Sequence, residues 1–148
     1  MSKTPPSVAV PAPFVDLFRG DAVAQLATLR ADGTPHLTPV WVDLDDAGRV
    51  LINARVDRLK AGHMRAGREV AVCVVDPANS YRYVSITGVV EDATEAGALE
   101  HMDRLARRYL KVGRYPWAAA GERRQLFKIR PTRVITDSGE VDLPPPEF

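Results

Sequence analysis

Between Thr34 and Lys60 the chain reads TPHLTPVWVDLDDAGRVLINARVDRLK, and this stretch constrains the fold more than any other. Two strand-like runs, Pro35 to Leu44 and Arg49 to Arg55, flank Asp45-Asp46-Ala47-Gly48. A short polar cluster with a glycine between two apolar runs predicts a hairpin. The second run ends in Asn53-Ala54-Arg55, and Asp57 then opens a helix-like segment from Arg58 to Ala66. A helix start exposes unpaired N–H groups and favours an anion. Arg55, Arg58 and Lys60 crowd that junction, so it is the predicted phosphate seat.

The rest of the chain supplies more strands. Asp21 to Arg30 is a predicted first strand, closed by an Asp32-Gly33 turn. Glu69 to Asp76 reads EVAVCVVD, apolar on both sides, and is predicted to be buried on both faces. Tyr81 to Glu91 is rich in β-formers, with Gly88 as a predicted bulge. Gln125 to Asp137 is the last strand region, interrupted at Pro131. One long helix is predicted over Asp92 to Leu110. Asp92 with Glu95 resembles a capping box, and Ala98, Met102, Leu105 and Tyr109 form one stripe. Phe14 to Arg19 is a short helix. Gly113 to Gly121, with Tyr115 and Trp117, is a loop that either lids a site or packs on it.

Short turns between consecutive strands predict an antiparallel sheet. About six strands around one core predict closure into a small barrel, which removes exposed edges. The expected organisation is a proline-rich arm over residues 1–13, a single domain over 14–137 and a loose tail over 138–148. With 148 residues, 45% hydrophobic and 26% charged, the composition is that of an ordinary globular domain. A net charge of +1 gives no general drive toward nucleic acid or a membrane surface. No apolar run approaches the length needed to span a bilayer, and the first residues lack a secretory core, so the cytoplasm is the expected location.

Local catalytic motifs are absent: there is no GxSxG, HExxH, P-loop or GxGxxG. His36, His63 and His101 lie far apart in sequence, Cys73 sits in the apolar strand, and no metal site is expected. From Arg104 to Arg133 ten cations face one acid, Glu122. That stretch is a solvated face, a groove for an anionic tail, or a nucleic-acid surface.

Three segments resemble the split β-barrel flavin and deazaflavin oxidoreductases related to pyridoxamine 5′-phosphate oxidase, and in particular the actinobacterial branch that uses the deazaflavin coenzyme F420. They are Leu26-Ala27-Thr28-Leu29-Arg30-Ala31-Asp32-Gly33-Thr34-Pro35, Thr38-Pro39-Val40-Trp41-Val42, and Asp57-Arg58-Leu59-Lys60-Ala61-Gly62-His63-Met64-Arg65. The chain departs from that family at His63-Met64, where relatives carry Asn-Leu, and at Gly67-Arg68-Glu69, where a proline is usual. The resemblance implies a mainly β, six-stranded antiparallel split barrel with one long helix before the last strand. It implies a homodimer with cofactor sites at the interface, and hydride exchange between the cofactor and a small electron-poor organic substrate. The cofactor is F420, with FMN as the alternative. A non-catalytic flavin- or deazaflavin-binding protein is the alternative from another class, and no nucleic acid, membrane or metal partner is expected.

On this resemblance the ring lies against Thr38, Pro39, Val40 and Trp41 and near Asn53 and Ala54. The phosphate meets Arg55, Arg58 and Lys60, and the second subunit contributes from Asn79, Tyr81 and Tyr83. Read from the residues alone, Trp41 is a packing side chain, and Asn53 either bonds a ring edge or ends strand pairing. No catalytic residue is identified. Tyr81, Tyr83, His36 or water remain as proton donors.

Overall fold

A computed structural model describes residues 6–140. After a 3-10 helix, Ala12–Phe18, the strands are β1 (Ala24–Leu29), β2 (Pro35–Val40), β3 (Asp43–Leu44), β4 (Val50–Arg55), β5 (Glu69–Asp76), β6 (Asn79–Thr94) and β7 (Arg124–Ser138). Helix α1 (Leu59–His63) follows β4, and α2 (Ala98–Leu110) precedes β7. All strands join one antiparallel sheet in the order β2-β1-β5-β6-β7-β4-β3. The sheet has seven strands, where six were expected.

The extra strand comes from a break at Trp41-Val42. The run Pro35 to Leu44 does not pair as one arm of a hairpin. Pro35–Val40 pairs with β1, and only Asp43–Leu44 pairs with β4 across the predicted Asp45 to Gly48 turn. This break also forces the sheet to curl. Seven strands laid flat would hold β2 and β3 about 29 Å apart, at about 4.8 Å per step. The link from Val40 to Asp43 reaches at most about 11 Å. The two edges must therefore approach each other, and the result is a barrel split between β2 and β3.

Bulges help the long strands bend. The β6–β7 register shifts at Thr87/Gly88 and again at Val90/Asp92. Pro131 does not interrupt β7; it pairs opposite Gly88 within this irregularity. A Cβ on Gly88 would lie 2.6 Å from Ile129 Cγ2 and 2.7 Å from the Arg130 carbonyl oxygen, so glycine is required by close approach. Leu17 and Phe18 of the 3-10 helix join Leu26, Val42, Val50, Ile52, Val72, Val74, Ile86 and Ile129 in the barrel core. Ahead of that helix, the Val8 amide donates to the Pro131 carbonyl and Val10 is buried. Of the predicted arm and tail, residues 1–5 and 141–148 lie outside the described residues.

Two further expectations change. The capping box at Asp92 and Glu95 does not form, because Asp92, Ala93 and Thr94 continue β6 opposite Lys128, Phe127 and Leu126. Helix α2 starts at Ala98 behind Gly97, whose φ of 76° suits glycine. Its predicted stripe holds: Ala98, Met102 and Leu105 are buried, with His101 and Ala106 beside them. Strand β5 is not buried on both faces within one chain. Val70, Val72 and Val74 enter the core, whereas Ala71 and Cys73 are half-buried and Val75 is exposed. That second side belongs to an outer sheet face that nothing among the described residues covers. Among the described residues no helix is long and apolar enough to cross a membrane.

Candidate cofactor-binding site

Helix α2 lies outside the barrel, against the β4–β7 pair, where Ala98 packs on Leu51 and Leu126. The segment after α2 returns over the same region, and a cleft of about 360 Å³ opens beside the seam. Val23, Pro39, Val40 and Trp41 line it from the β1–β2 side, Asn53 and Lys60 from the β4 side, and Met102, Tyr115 and Trp117 from above. The aromatic rings are mutually arranged. Tyr115 meets Trp41 edge-on at 6.3 Å and Trp117 edge-on at 5.7 Å. Trp41 is thus both a packing residue and a wall of the cleft.

A second pocket of about 300 Å³ shares Asn53 and Lys60 with the first and adds Ala54, Arg55, Arg58 and Arg124. Its lining holds four cations and no acid. Arg55 is bound to Asp57 at 2.7 Å, and Arg124 to Glu122 at 2.9 Å. Lys60 and Arg58 have no carboxylate partner among the described residues. Burial, with Arg58 and Arg124 adding like charge, pulls the Lys60 ammonium below its ordinary value. A cation held half-buried against its own kind is in place for an anion. Helix α1 is only one turn long, so side chains rather than a helix dipole make this pocket.

A third, wider cleft of about 1020 Å³ lies between α2 and the 113–124 segment. It shares Met102 and Tyr115 with the aromatic cleft and Arg124 with the cationic pocket.

Beneath the site runs a buried polar chain. Arg124 donates to Asn53 Oδ1 at 3.2 Å. Asn53 Nδ2 donates to the Ala98 carbonyl at 2.7 Å and reaches His101 Nδ1 at 3.2 Å. His101, fully buried, meets Asp43 Oδ2 through Nε2 at 3.1 Å. Arg108 donates to Asp43 Oδ1 at 3.0 Å and also to the Val42 carbonyl. Burial alone would raise the Asp43 carboxyl. The His101 ring, the Leu44 amide and Arg108 more than offset it and hold it at about 2. Asn53 therefore does not end strand pairing, since it still pairs with Leu126, and its amide is already committed within the protein.

The predicted residues Pro39, Val40, Trp41, Asn53, Ala54, Arg55, Arg58 and Lys60 come together in the two adjoining cavities. Thr38 sits half-buried on β2 without lining either. Asn79, Tyr81 and Tyr83 lie at the β5–β6 turn and line none of these cavities. Asn79 donates to the Gly139 carbonyl at 3.2 Å, and Tyr81 is exposed. Between them Arg82 is taken up by Asp16 at 2.7 Å and Asp76 at 3.1 Å. Five residues of the two adjoining cavities were not named from the sequence as site residues: Val23, Met102, Tyr115, Trp117 and Arg124. The aromatic loop was one signal. Arg124 follows only from the Arg55–Arg124 pairing, which the sequence does not display.

Four of the ten cations of the basic stretch pair with acids from elsewhere in the chain. Asp43, Glu91, Asp92 and Glu95 pair with Arg108, Arg130, Lys128 and Arg123.

Residues 11–137 match the pyridoxamine 5′-phosphate oxidase family. Among solved structures, an F420 reductase is 30% identical, with 85% of this chain and 98% of that one covered and a TM-score of 0.74. A conserved hypothetical protein from Mycobacterium tuberculosis is 23% identical over 100% of this chain and 97% of its own, with a TM-score of 0.69. The heme storage protein HutZ of Vibrio cholerae shares the fold at 12% identity, with 87% and 95% covered and a TM-score of 0.60. No curated protein sequence matches the chain. With the family pattern spanning the barrel from the 3-10 helix to the last strand, the chain belongs to the pyridoxamine 5′-phosphate oxidase family of split barrels.

Proposed function

We propose that the protein is an oxidoreductase that binds coenzyme F420 in the aromatic cleft, with FMN as the alternative cofactor. One observation carries this reading: the aromatic cleft and the cationic pocket are adjoining and share Asn53 and Lys60. A flat ring joined by a short polar chain to a phosphate has this shape and charge order. The similarity to an F420 reductase, at 30% identity, supports the deazaflavin over FMN.

The bound cofactor supplies the hydride chemistry with a small electron-poor organic substrate. Trp41, Pro39 and Met102 give the ring apolar walls that exclude water. Lys60, Arg58 and Arg124 hold the phosphate end, while Arg55, bound to Asp57, flanks it. Tyr115 and Trp117, on the segment over the cleft, cover the ring. None of these roles needs a protein nucleophile.

The reading includes a homodimer. The outer face of β2-β1-β5-β6-β7 places Leu37, Ala27, Ala71, Thr87 and Arg133 in one row across the sheet. Pro39, Gln25, Cys73, Ser85 and Ile135 form the next. On this face the large apolar side chains Leu37 and Ile135 are 66% and 55% exposed. A second copy on this face is the proposed partner, and Asn79, Tyr81 and Tyr83 are its proposed contributions to the neighbouring cleft.

The test is a fluorescence titration of the purified protein with F420 and, separately, with FMN. Tight F420 binding with weaker FMN binding, followed by oxidation of reduced F420 with an electron-poor acceptor, is the expected result. Binding without turnover on any acceptor would make the protein a carrier. Binding of neither would overturn the reading.

A further inference from the structure

The buried polar chain has a direction, and the direction ends at the cationic pocket. Asp43 is an anion, so the His101 nitrogen facing it, Nε2, must carry the proton. The Asn53 amide turns its NH2 toward His101 Nδ1, which therefore accepts. The same NH2 reaches the Ala98 carbonyl. This orientation leaves Asn53 Oδ1 facing Arg124, which donates to it. Reversing either the imidazole tautomer or the amide would bring two donors or two acceptors together. The hydrogen-bond network thus assigns both, the Ala98 carbonyl and Arg124 fixing the amide and Asp43 fixing the Nε2 proton.

Arg124 is held from several sides. Its Nε donates to Glu122 at 2.9 Å, one amino group donates to Asn53, and its guanidinium lies 4.8 Å from the Tyr115 ring centroid. Nη2 is left without a partner among the described residues, and Arg124 lines the cationic pocket beside Lys60 and Arg58. Packing alone does not require this arrangement. Leu51, Ala98 and Leu126 already join α2 to the sheet, and apolar side chains at 53 and 101 would extend that contact without desolvating a charge. What a directional polar chain adds is a unique geometry at its end.

We propose that His101 is a positioning residue for the anion pocket: acting through Asn53, it fixes the Arg124 guanidinium so that the site prefers ligands ending in a phosphate over the same ligands without one. The identity of the ligand rests on the cofactor reading above, whereas the positioning of Arg124 does not.

Two readouts test it. The first needs no ligand: the ¹⁵N-resolved Arg124 Nε–H signal, assigned by its loss in Arg124→Met. It is expected to be sharp in the wild type, retained in His101→Gln, which keeps a donor and an acceptor, and lost to exchange in His101→Phe. The second is the ratio of FMN to riboflavin affinity. His101→Phe is expected to lower FMN affinity about 5–10-fold while leaving riboflavin within about twofold, and to have no further effect in the Arg124→Met background. Should His101→Phe fail to fold, Asn53→Leu severs the chain one step closer to Arg124 and is judged on the Arg124 signal alone, because Asn53 also lines the aromatic cleft. An unchanged Arg124 signal in the severed variant, or an equal loss of FMN and riboflavin affinity, overturns the proposal. If the wild type binds neither ligand, the FMN alternative fails, F420 binding is left to its own titration, and the guanidinium signal alone decides the positioning.

Discussion

Trp41 and Tyr109 stack face to face, with ring centroids 5.0 Å apart and planes 7° from parallel. The stack sits on the split of the barrel, because Trp41 belongs to the link between the two edge strands. The Tyr109 hydroxyl donates to the Ala22 carbonyl at 2.7 Å and accepts the Val42 amide at 3.1 Å. Helix α2 thereby supplies the acceptor that an edge amide lacks. Tyr109→Phe keeps the stack and leaves the Val42 amide unpaired, so a loss of about 1–3 kcal/mol in chemical denaturation is expected. Unaltered stability would show that water replaces the hydroxyl.

Lys60 separates binding from folding. Lys60→Ala is expected to weaken binding of the phosphate-bearing cofactor by roughly 1.5–3 kcal/mol, the range for a charged hydrogen bond. The same change removes a cation that burial and like charges disfavour, so the melting temperature of the free protein should stay level or rise. Calorimetry on the ligand-free variant and titration with cofactor check both halves. A fall in stability with unchanged affinity would remove Lys60 from the site.

Gly88→Ala places a methyl group within 2.6 Å of Ile129 Cγ2 and 2.7 Å of the Arg130 carbonyl. The backbone contact cannot yield by side-chain rotation, so a destabilisation of about 1–3 kcal/mol is expected. Urea unfolding measures it, and a neutral result would mean that the β6–β7 bulge shifts freely.

Asp43 sets an acid limit. Its folded value of about 2 lies below the ordinary 3.8. A depressed carboxylate contributes stability that is fully present above the unfolded value and disappears as pH falls through the folded one. The contribution is roughly 2 kcal/mol, present above about pH 4 and lost between about pH 4 and pH 2. Asp43→Asn should flatten that part of the stability–pH curve. An identical slope in the variant would place the acid sensitivity elsewhere.

Ile135→Glu and Leu37→Glu test the outer face. Each puts a charge on an exposed position of the proposed dimer surface without touching the core. Sedimentation should show a dimer for the wild type and a monomer for the double variant. A monomeric wild type would leave the face to another partner.

The strands were legible where local pattern decides them. β5 has the predicted ends, Glu69–Asp76, because a run of β-formers between turn residues needs no tertiary information. The stripe on α2 was legible for the same reason. What failed was set by pairing. Asp92 reads as a helix cap in isolation, yet the ladder opposite Lys128 holds it in β6. The break at Trp41-Val42 is invisible locally, since both sides are apolar and only the curl of the sheet separates them. For the site, Lys60 and Arg58 were found by their crowding near a strand end. Arg124 is distant in sequence and enters through register. His101 looked like an isolated histidine because its partners, Asp43 and Asn53, are more than 45 residues away.

The split between β2 and β3 also bears on how the molecule opens. No backbone ladder crosses it, so amides along the two edge strands depend on α2 and on side chains for protection. Slow fluctuations should concentrate at this seam and leave the β5–β6–β7 ladders closed. The aromatic cleft has Pro39 on one edge and Asn53 on the strand beside the other. A molecule lodged there touches both sides at once and acts as a brace. Its affinity would be read out as slower hydrogen exchange in β2 and β3, and loosening the seam would raise its dissociation rate.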